Sequence, residues 1–179
     1  MKQQFVLNGE SVKAFEKSMA MLDESMSELR RIAHNMMPES LVKLSLNDAL
    51  KDYCMYVTKN STVVFDYQGI GLDDMDPENT IKTSIYRIIQ ELVNNILKHA
   101  GATNALVQII WREGVIYITV EDNGTGFNTA DVTMANGIGF KNTSSRVNYL
   151  KGKMDVQSAP GQGTSVHIEV PFAAITGDV

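Results

Sequence analysis

A chain of 179 residues with 44% hydrophobic content and a formal net charge of −5 has material for one full globular domain plus one extra element. Its acidic balance lacks the basic footprint of a nucleic-acid binder, so no nucleic-acid partner is expected. A lone cysteine, Cys54, excludes a disulfide framework and a thiolate metal site, while MKQQFVLNGE lacks a signal peptide's apolar core and no run of about 18 apolar residues is present to span a membrane; a cytoplasmic location is expected, with any membrane anchor elsewhere in a parent protein.

The first predicted element is a long helix. Val12, Phe15, Met19, Leu22, Met26, Leu29, Ala33 and Met36 recur with gaps alternating between three and four. That is a heptad seam, narrower than the apolar face of an ordinary surface helix, and it predicts packing against another long helix. Pro38 ends it. Leu46 to Val57 reads as a short amphipathic helix, and Thr62 to Tyr67, rich in β-branched and aromatic residues, as a strand. GIGLDDMDPE is a loop, with Asp76 as N-cap and Pro77 in the first turn of a long helix running to about His99. Ala105–Trp111 and Val115–Asp122 form a hairpin across Arg112, Glu113 and Gly114. A Gly-rich loop, a short helix from Ser144 to Leu150 and a last hairpin, Lys153–Ser158 with Thr164–Val170, complete the pattern.

Four clusters carry chemistry. Glu91, Asn95 and Lys98 share one face of the long helix, where a carboxylate can polarise a nucleophile, an amide oxygen can ligate Mg²⁺ and a lysine can neutralise phosphate; a solvated face with a Glu–Lys pair is the plainer reading. In VIYITVEDNGTGF, two-residue alternation puts Asp122 at the end of the row formed by Ile116, Ile118 and Val120. A carboxylate there needs a partner, and an amino group of a ligand supplies one. Gly124 and Gly126 allow the backbone close to such a ligand, although an Asp-Asn-Gly turn alone explains them. NGIGFKN places Gly137, Ile138 and Gly139 ahead of a helix, whose free amides suit phosphate. PGQGTSV places Gly161, Gly163 and Thr164 at a hairpin turn.

Their order is more specific than any one of them. ELVNNILKHA resembles the N box of histidine kinases, EDNGTGF the first glycine box, NGIGFKN the second and GQGT the last. From about Leu41 to Phe172 the chain therefore resembles the GHKL ATPases: histidine kinases, type II topoisomerases, heat-shock chaperone ATPases and mismatch-repair ATPases. The resemblance implies an α+β, two-layer α/β sandwich (the Bergerat fold), a mixed β-sheet backed by helices, here preceded by one long coiled-coil-like helix. It implies residues 1–38 as the second helix of a dimerisation and phosphotransfer region and 39–179 as the catalytic domain. It implies ATP and Mg²⁺ as ligands, with Asn95 on the metal, Glu91 catalytic through the phosphoacceptor, and Lys98 and His99 at the phosphate end. Asp122 would take the adenine amine with Thr164 helping through water, Gly124 and Gly126 would shape the base pocket, and Gly137, Ile138 and Gly139 would flank the phosphates. Residues 127–136 would form a short lid.

Glutamate rather than asparagine opens the N box, and the lid has no phenylalanine-rich box; both features resemble the short-lid branch of nitrate- and cold-sensing kinases. RRIAHNMMPESL followed by LNDAL resembles that branch's junction after the second dimerisation helix. Of the three histidines, His167 points outward by strand alternation, His99 ends a helix, and His34 lies too close to Pro38 for a second antiparallel helix to follow. The acceptor histidine is therefore expected upstream, outside this chain, with a response regulator as the parent kinase's partner and a homodimer through residues 12–36. The alternatives are an anti-sigma-factor-type serine kinase and a non-catalytic nucleotide-binding dimerisation module.

Overall fold

Ser45 starts the first helix of the folded domain. Its hydroxyl accepts from the Asp48 amide at 3.1 Å, satisfying one of the donors a helix start leaves open. Helix α1 (Leu46–Lys59) then buries Leu46, Ala49, Leu50, Tyr53, Cys54 and Val57, a stripe at three- and four-residue spacing. Asn60 ends it, its amide side chain donating to the Tyr56 carbonyl at 2.7 Å.

The structure is a computed structural model that describes residues 15, 17–19, 21, 22, 44–75, 77–129 and 138–172. The chain divides into two compact units, Met1–Pro38 and Glu39–Val179. In the first unit Phe15, Met19 and Leu22 of the predicted seam are helical and exposed. The rest of the seam, and His34, lie outside the described residues.

The second unit is built on a five-stranded sheet in the order β1-β2-β3-β5-β4. Strand β1 (Val64–Ile70) runs parallel to β2 (Asn104–Arg112), and α2 (Asn79–Asn95) makes the crossover a parallel pair requires. Strands β3 (Val115–Asp122), β5 (Thr164–Pro171) and β4 (Lys153–Ser158) pair antiparallel, and α3 (Ile138–Tyr149) lies between β3 and β4 in sequence. One face of the sheet, with Val107, Ile109, Ile116, Ile118, Val120, Val166, Ile168 and Val170, is buried in one apolar core with Ile85, Ile88, Ile89, Leu92 and Val93 of α2. Each such side chain contributes about 2 kcal/mol of burial. The other face carries a polar row, Gln68, Gln108, Thr119, His167 and Asp155, in register across all five strands. This is the expected α+β sandwich of a mixed sheet and one helical layer.

Several boundaries differ from the sequence-based expectation. Helix α3 begins at Ile138, six residues before Ser144; Gly139 keeps its backbone N–H, and its conformational freedom costs the helix only about 1 kcal/mol relative to alanine. Helix α2 begins at Asn79 with Glu78 as N-cap and no side-chain capping bond; Pro77 stands before it, and Asp76 lies outside the described residues. Strand β1 starts two residues late and runs on to Ile70, held by pairing with Ile110. His167 does face outward, yet its ring lies 3.3 Å from Thr119 Oγ1 and 2.9 Å from Ser165 Oγ, so it is tied into the polar row.

Candidate functional site

The site begins where helix α2 changes pitch. Asn95 is its last α-helical residue, and Ile96–Ala100 form a π-helical turn that ends at Gly101 in the left-handed conformation, φ 59°. Single π turns concentrate at functional positions because they re-aim side chains without ending the helix. Here the wider turn rotates Lys98 away from the place that straight α-helical spacing assigns it. Lys98 and His99 are exposed, and Glu91 and Asn95 are half-buried. Both basic residues lie in the last turn, where the helix dipole favours positive charge.

The Ala100 carbonyl joins this helix end to the loop after β3. It accepts from the Thr125 amide at 2.7 Å. A side chain on Gly124 would collide with the same carbonyl, which is why that position carries none. Asn123 laces the loop to the start of β2: its Oδ1 accepts from the amides of Thr103 at 2.9 Å and Asn104 at 3.0 Å, and its Nδ2 donates to Thr103 Oγ1. Asn95 stands five residues before Ala100, about one π-helical turn away. The N-box amide and the loop that begins at Asp122 therefore lie at one end of the sheet.

Asp122 ends the buried row of β3 as alternation predicts, half-buried, with Oδ1 accepting from the Gly124 amide at 2.8 Å. The turn bond leaves Oδ2 without a partner among the described residues. Thr164 is its direct cross-strand neighbour on β5, and Ser158 on β4 is the neighbour of Thr164. The turn between β4 and β5 has the Gln162 amide bonded to the Ala159 carbonyl at 3.0 Å, with Pro160 second and Gly161 third at φ 78°. That is a type II turn, whose third position needs a positive φ. The Gly161 amide reaches the Thr125 carbonyl at 2.6 Å, so the turn is bonded to the glycine-box loop. Gly126 packs against the Ala159 and Gly163 carbonyls, and Gly163 against the Asp122 carbonyl.

The structure therefore brings Asp122, Gly124, Gly126 and Thr164 to one end of the sheet, with the helix end carrying Asn95, Lys98 and His99 bonded to the same loop. Ile138 and Gly139 lie in the first turn of α3. Gly137 and residues 130–136 of the expected lid lie outside the described residues. The lid's first residue is anchored: the Phe127 amide donates to Ser158 Oγ at 2.9 Å, and its ring lies 6.2 Å from that of Phe140 on α3.

Asn95 Nδ2 is buried without a partner, one of three such side-chain atoms among the described residues, with Trp111 Nε1 and Thr143 Oγ1. A buried amide end lacking its bond is costly unless a ligand supplies one. A half-turn of the amide offers Oδ1, a hard oxygen of the kind Mg²⁺ accepts. No group of three or more His, Cys, Asp or Glu side chains among the described residues could cage a metal. Mg²⁺ does not need one, since it keeps waters and takes one or two protein oxygens together with substrate phosphates. The donor set fits a nucleotide-borne Mg²⁺.

Sequence reasoning missed Ser158, Asn123 and Tyr53. Tyr53 is buried on α1 with its ring 5.6 Å from Tyr86. Its phenol is pushed above the ordinary tyrosine range by burial first, then by Tyr86, Cys54 and Glu91. A tyrosine on a core stripe gives no sign of that in sequence.

Residues 80–174 match the family described as histidine kinase-, DNA gyrase B-, and HSP90-like ATPase. The chain is similar to the signal transduction histidine-protein kinase/phosphatase DegS of Brevibacillus brevis, at 28% identity over 91% of this chain and 42% of the relative. It is similar to the oxygen sensor histidine kinase NreB of Staphylococcus carnosus, at 29% identity over 81% of this chain and 42% of the relative. It thus spans about two-fifths of the length of these curated relatives. Among solved structures, the histidine kinase domain from the Erythrobacter litoralis blue-light activated histidine kinase superposes with a TM-score of 0.65 at 20% identity, covering 93% of this chain and 87% of that one.

Proposed function

Since the chain belongs to the histidine kinase-, DNA gyrase B-, and HSP90-like ATPase family, we propose that residues 39–179 are the ATP-binding catalytic domain of a sensor histidine kinase in a two-component system. Residues 1–38 are then the second helix of its dimerisation and phosphotransfer region. The observation that carries the reading is the half-buried Asp122 ending β3, together with a buried, partnerless Nδ2 on the half-buried Asn95, both at one end of the sheet. Relatives named as histidine kinases point the same way.

In this reading Asp122 accepts from the adenine amine through its free oxygen, with Thr164 beside it. Gly124 and Gly126 let backbone approach the base, and Lys98, His99, Gly137, Ile138 and Gly139 serve the phosphates. Mg²⁺ held by Asn95 supplies charge neutralisation on the phosphates when bound. The reaction forms a bond from an acceptor imidazole nitrogen to the γ-phosphorus and breaks the bond from that phosphorus to the bridging oxygen of ADP. Glu91 polarises the imidazole by accepting from its other ring nitrogen, and positioning and charge stabilisation account for most of the rate. The acceptor lies on a helix upstream of this chain, and a response regulator takes the phosphoryl group from it.

The exposed Phe15, Met19 and Leu22 support homodimerisation through residues 12–36. A short lid and Glu91 support the nitrate- and cold-sensing branch. The heptad helix disfavours an anti-sigma-type serine kinase, and the retained Asn95 and Asp122 disfavour a non-catalytic module.

The test is titration of the full chain with a fluorescent ATP analogue and Mg²⁺, followed by phosphate transfer to a separately supplied acceptor helix pair. Micromolar to millimolar binding and labelling of the supplied histidine are expected. No binding at millimolar nucleotide contradicts the reading, and strong self-labelling lost in His34→Gln contradicts the placing of the acceptor upstream.

A further inference from the structure

A single hydroxyl decides how the base-binding end of the site is polarised. Ser158 Oγ makes three contacts: it donates to the Gly163 carbonyl at 2.8 Å, accepts from the Phe127 amide at 2.9 Å and lies 3.2 Å from Thr164 Oγ1. A serine hydroxyl has one proton and two lone pairs. With its proton on the Gly163 carbonyl and one lone pair taken by Phe127, Ser158 can meet Thr164 only as an acceptor. Thr164 must then donate its own proton to Ser158, and both of its lone pairs are left for the site. Asp122, its direct cross-strand neighbour, already takes the Gly124 amide on Oδ1 and has Oδ2 left over. Two side chains that could have offered a mixture of donors and acceptors thus offer acceptors alone.

We propose that Ser158 is a specificity-determining residue: by fixing the proton of Thr164 on itself, it makes the Asp122–Thr164 pair accept only, favouring a purine edge that bears an amine over one that bears a ketone. The inference rests on the nucleotide-site reading above and deepens it. Ser158 touches no base and acts through Thr164, so it is a positioning residue. In Ser158→Ala the Thr164 hydroxyl can turn and donate into the site, where it would welcome a ketone oxygen. A site built around one hydrogen-bonding pattern discriminates because the wrong partner leaves groups unpaired.

The experiment compares ATP with inosine triphosphate, which carries a ketone where adenine carries its amine, by displacement of a fluorescent ATP analogue from the full chain with Mg²⁺. The wild type is expected to prefer ATP. Ser158→Ala is expected to shrink that preference about fivefold, the worth of one net hydrogen bond. Ser158→Thr, which keeps the hydroxyl, restores it. Thr164→Val shrinks it likewise, and the double variant adds nothing further, since both changes act through one proton. Simple loosening of the turn would weaken both nucleotides together and leave the ratio unchanged. An unchanged ratio in Ser158→Ala, or in Thr164→Val should the first variant not fold, overturns this inference alone. A wild type that binds neither nucleotide overturns the site reading and this inference with it.

Discussion

The two ends of the five-stranded sheet are built from the same kinds of residue and do different work. At one end β2 turns into β3 through Glu113 and Gly114, with φ values of 52° and 76°, a two-residue turn of the hairpin-favouring type with both central residues left-handed. Its Arg112–Glu113 ion pair is exposed on both sides, 73% and 77%, so screening leaves it little to contribute. At the other end β3 runs into Asp122 and a loop bonded to the end of α2, the start of β2 and the β4–β5 turn. In the turn at the first end, glycine serves conformation. At the second it also makes room, because Gly124, Gly126 and Gly163 each sit against a backbone carbonyl. Backbone crowding marks individual glycines rather than a whole end: Gly71 and Gly152, at the first end, sit against the Trp111 and Glu169 carbonyls, while Gly161, at the second, meets nothing within 4 Å.

The contrast can be broken most forcefully at Gly163. Gly163→Ala forces a methyl against the Asp122 carbonyl at φ 72°, and a loss of about 3 kcal/mol is expected from overpacking and left-handed strain combined. Gly161, three residues from Ser158, has φ 78° but nothing within 4 Å. There Gly161→Ala should cost only about 1 kcal/mol, the strain alone. Urea unfolding of the two variants measures the difference, and equal losses would show that crowding is irrelevant. Asn123→Ala removes the side chain that holds Thr103 and Asn104, with an expected cost of about 1–2 kcal/mol and weaker nucleotide binding. The same unfolding and displacement assays check it. Smallest of all, Arg112→Ala should change stability by less than about 0.5 kcal/mol and leave nucleotide affinity alone; a measurable loss of affinity would show that the plain end communicates with the site.

Much of this architecture is legible in sequence, because periodicity reports burial. The alternation through Ile116, Ile118 and Val120 placed Asp122 at the end of a core-facing row, and the stripe on α2 placed Glu91 and Asn95 on its other side. What stayed hidden depends on long-range bonds that leave no periodic trace. Ser158 meets Phe127 across 31 residues and Asn123 meets Thr103 across 20. The π-helical turn at Ile96–Ala100 has no compositional mark, so the sequence alone puts Lys98 at α-helical spacing. The early start of α3 was hidden by Gly139, which sequence reasoning treats as a breaker wherever it stands.

The measurement that bears most directly on the account is a two-dimensional NMR titration of the full chain, first with adenosine and then with Mg·ATP. Adenosine is expected to move the backbone amides of Gly124 and Thr164 while leaving the Asn95 side-chain amide in place, and Mg·ATP to move all three at one shared affinity. If Mg·ATP moves Asn95 without moving Gly124 and Thr164, or moves them at a different affinity, the acid and the amide do not serve one nucleotide and the account is contradicted.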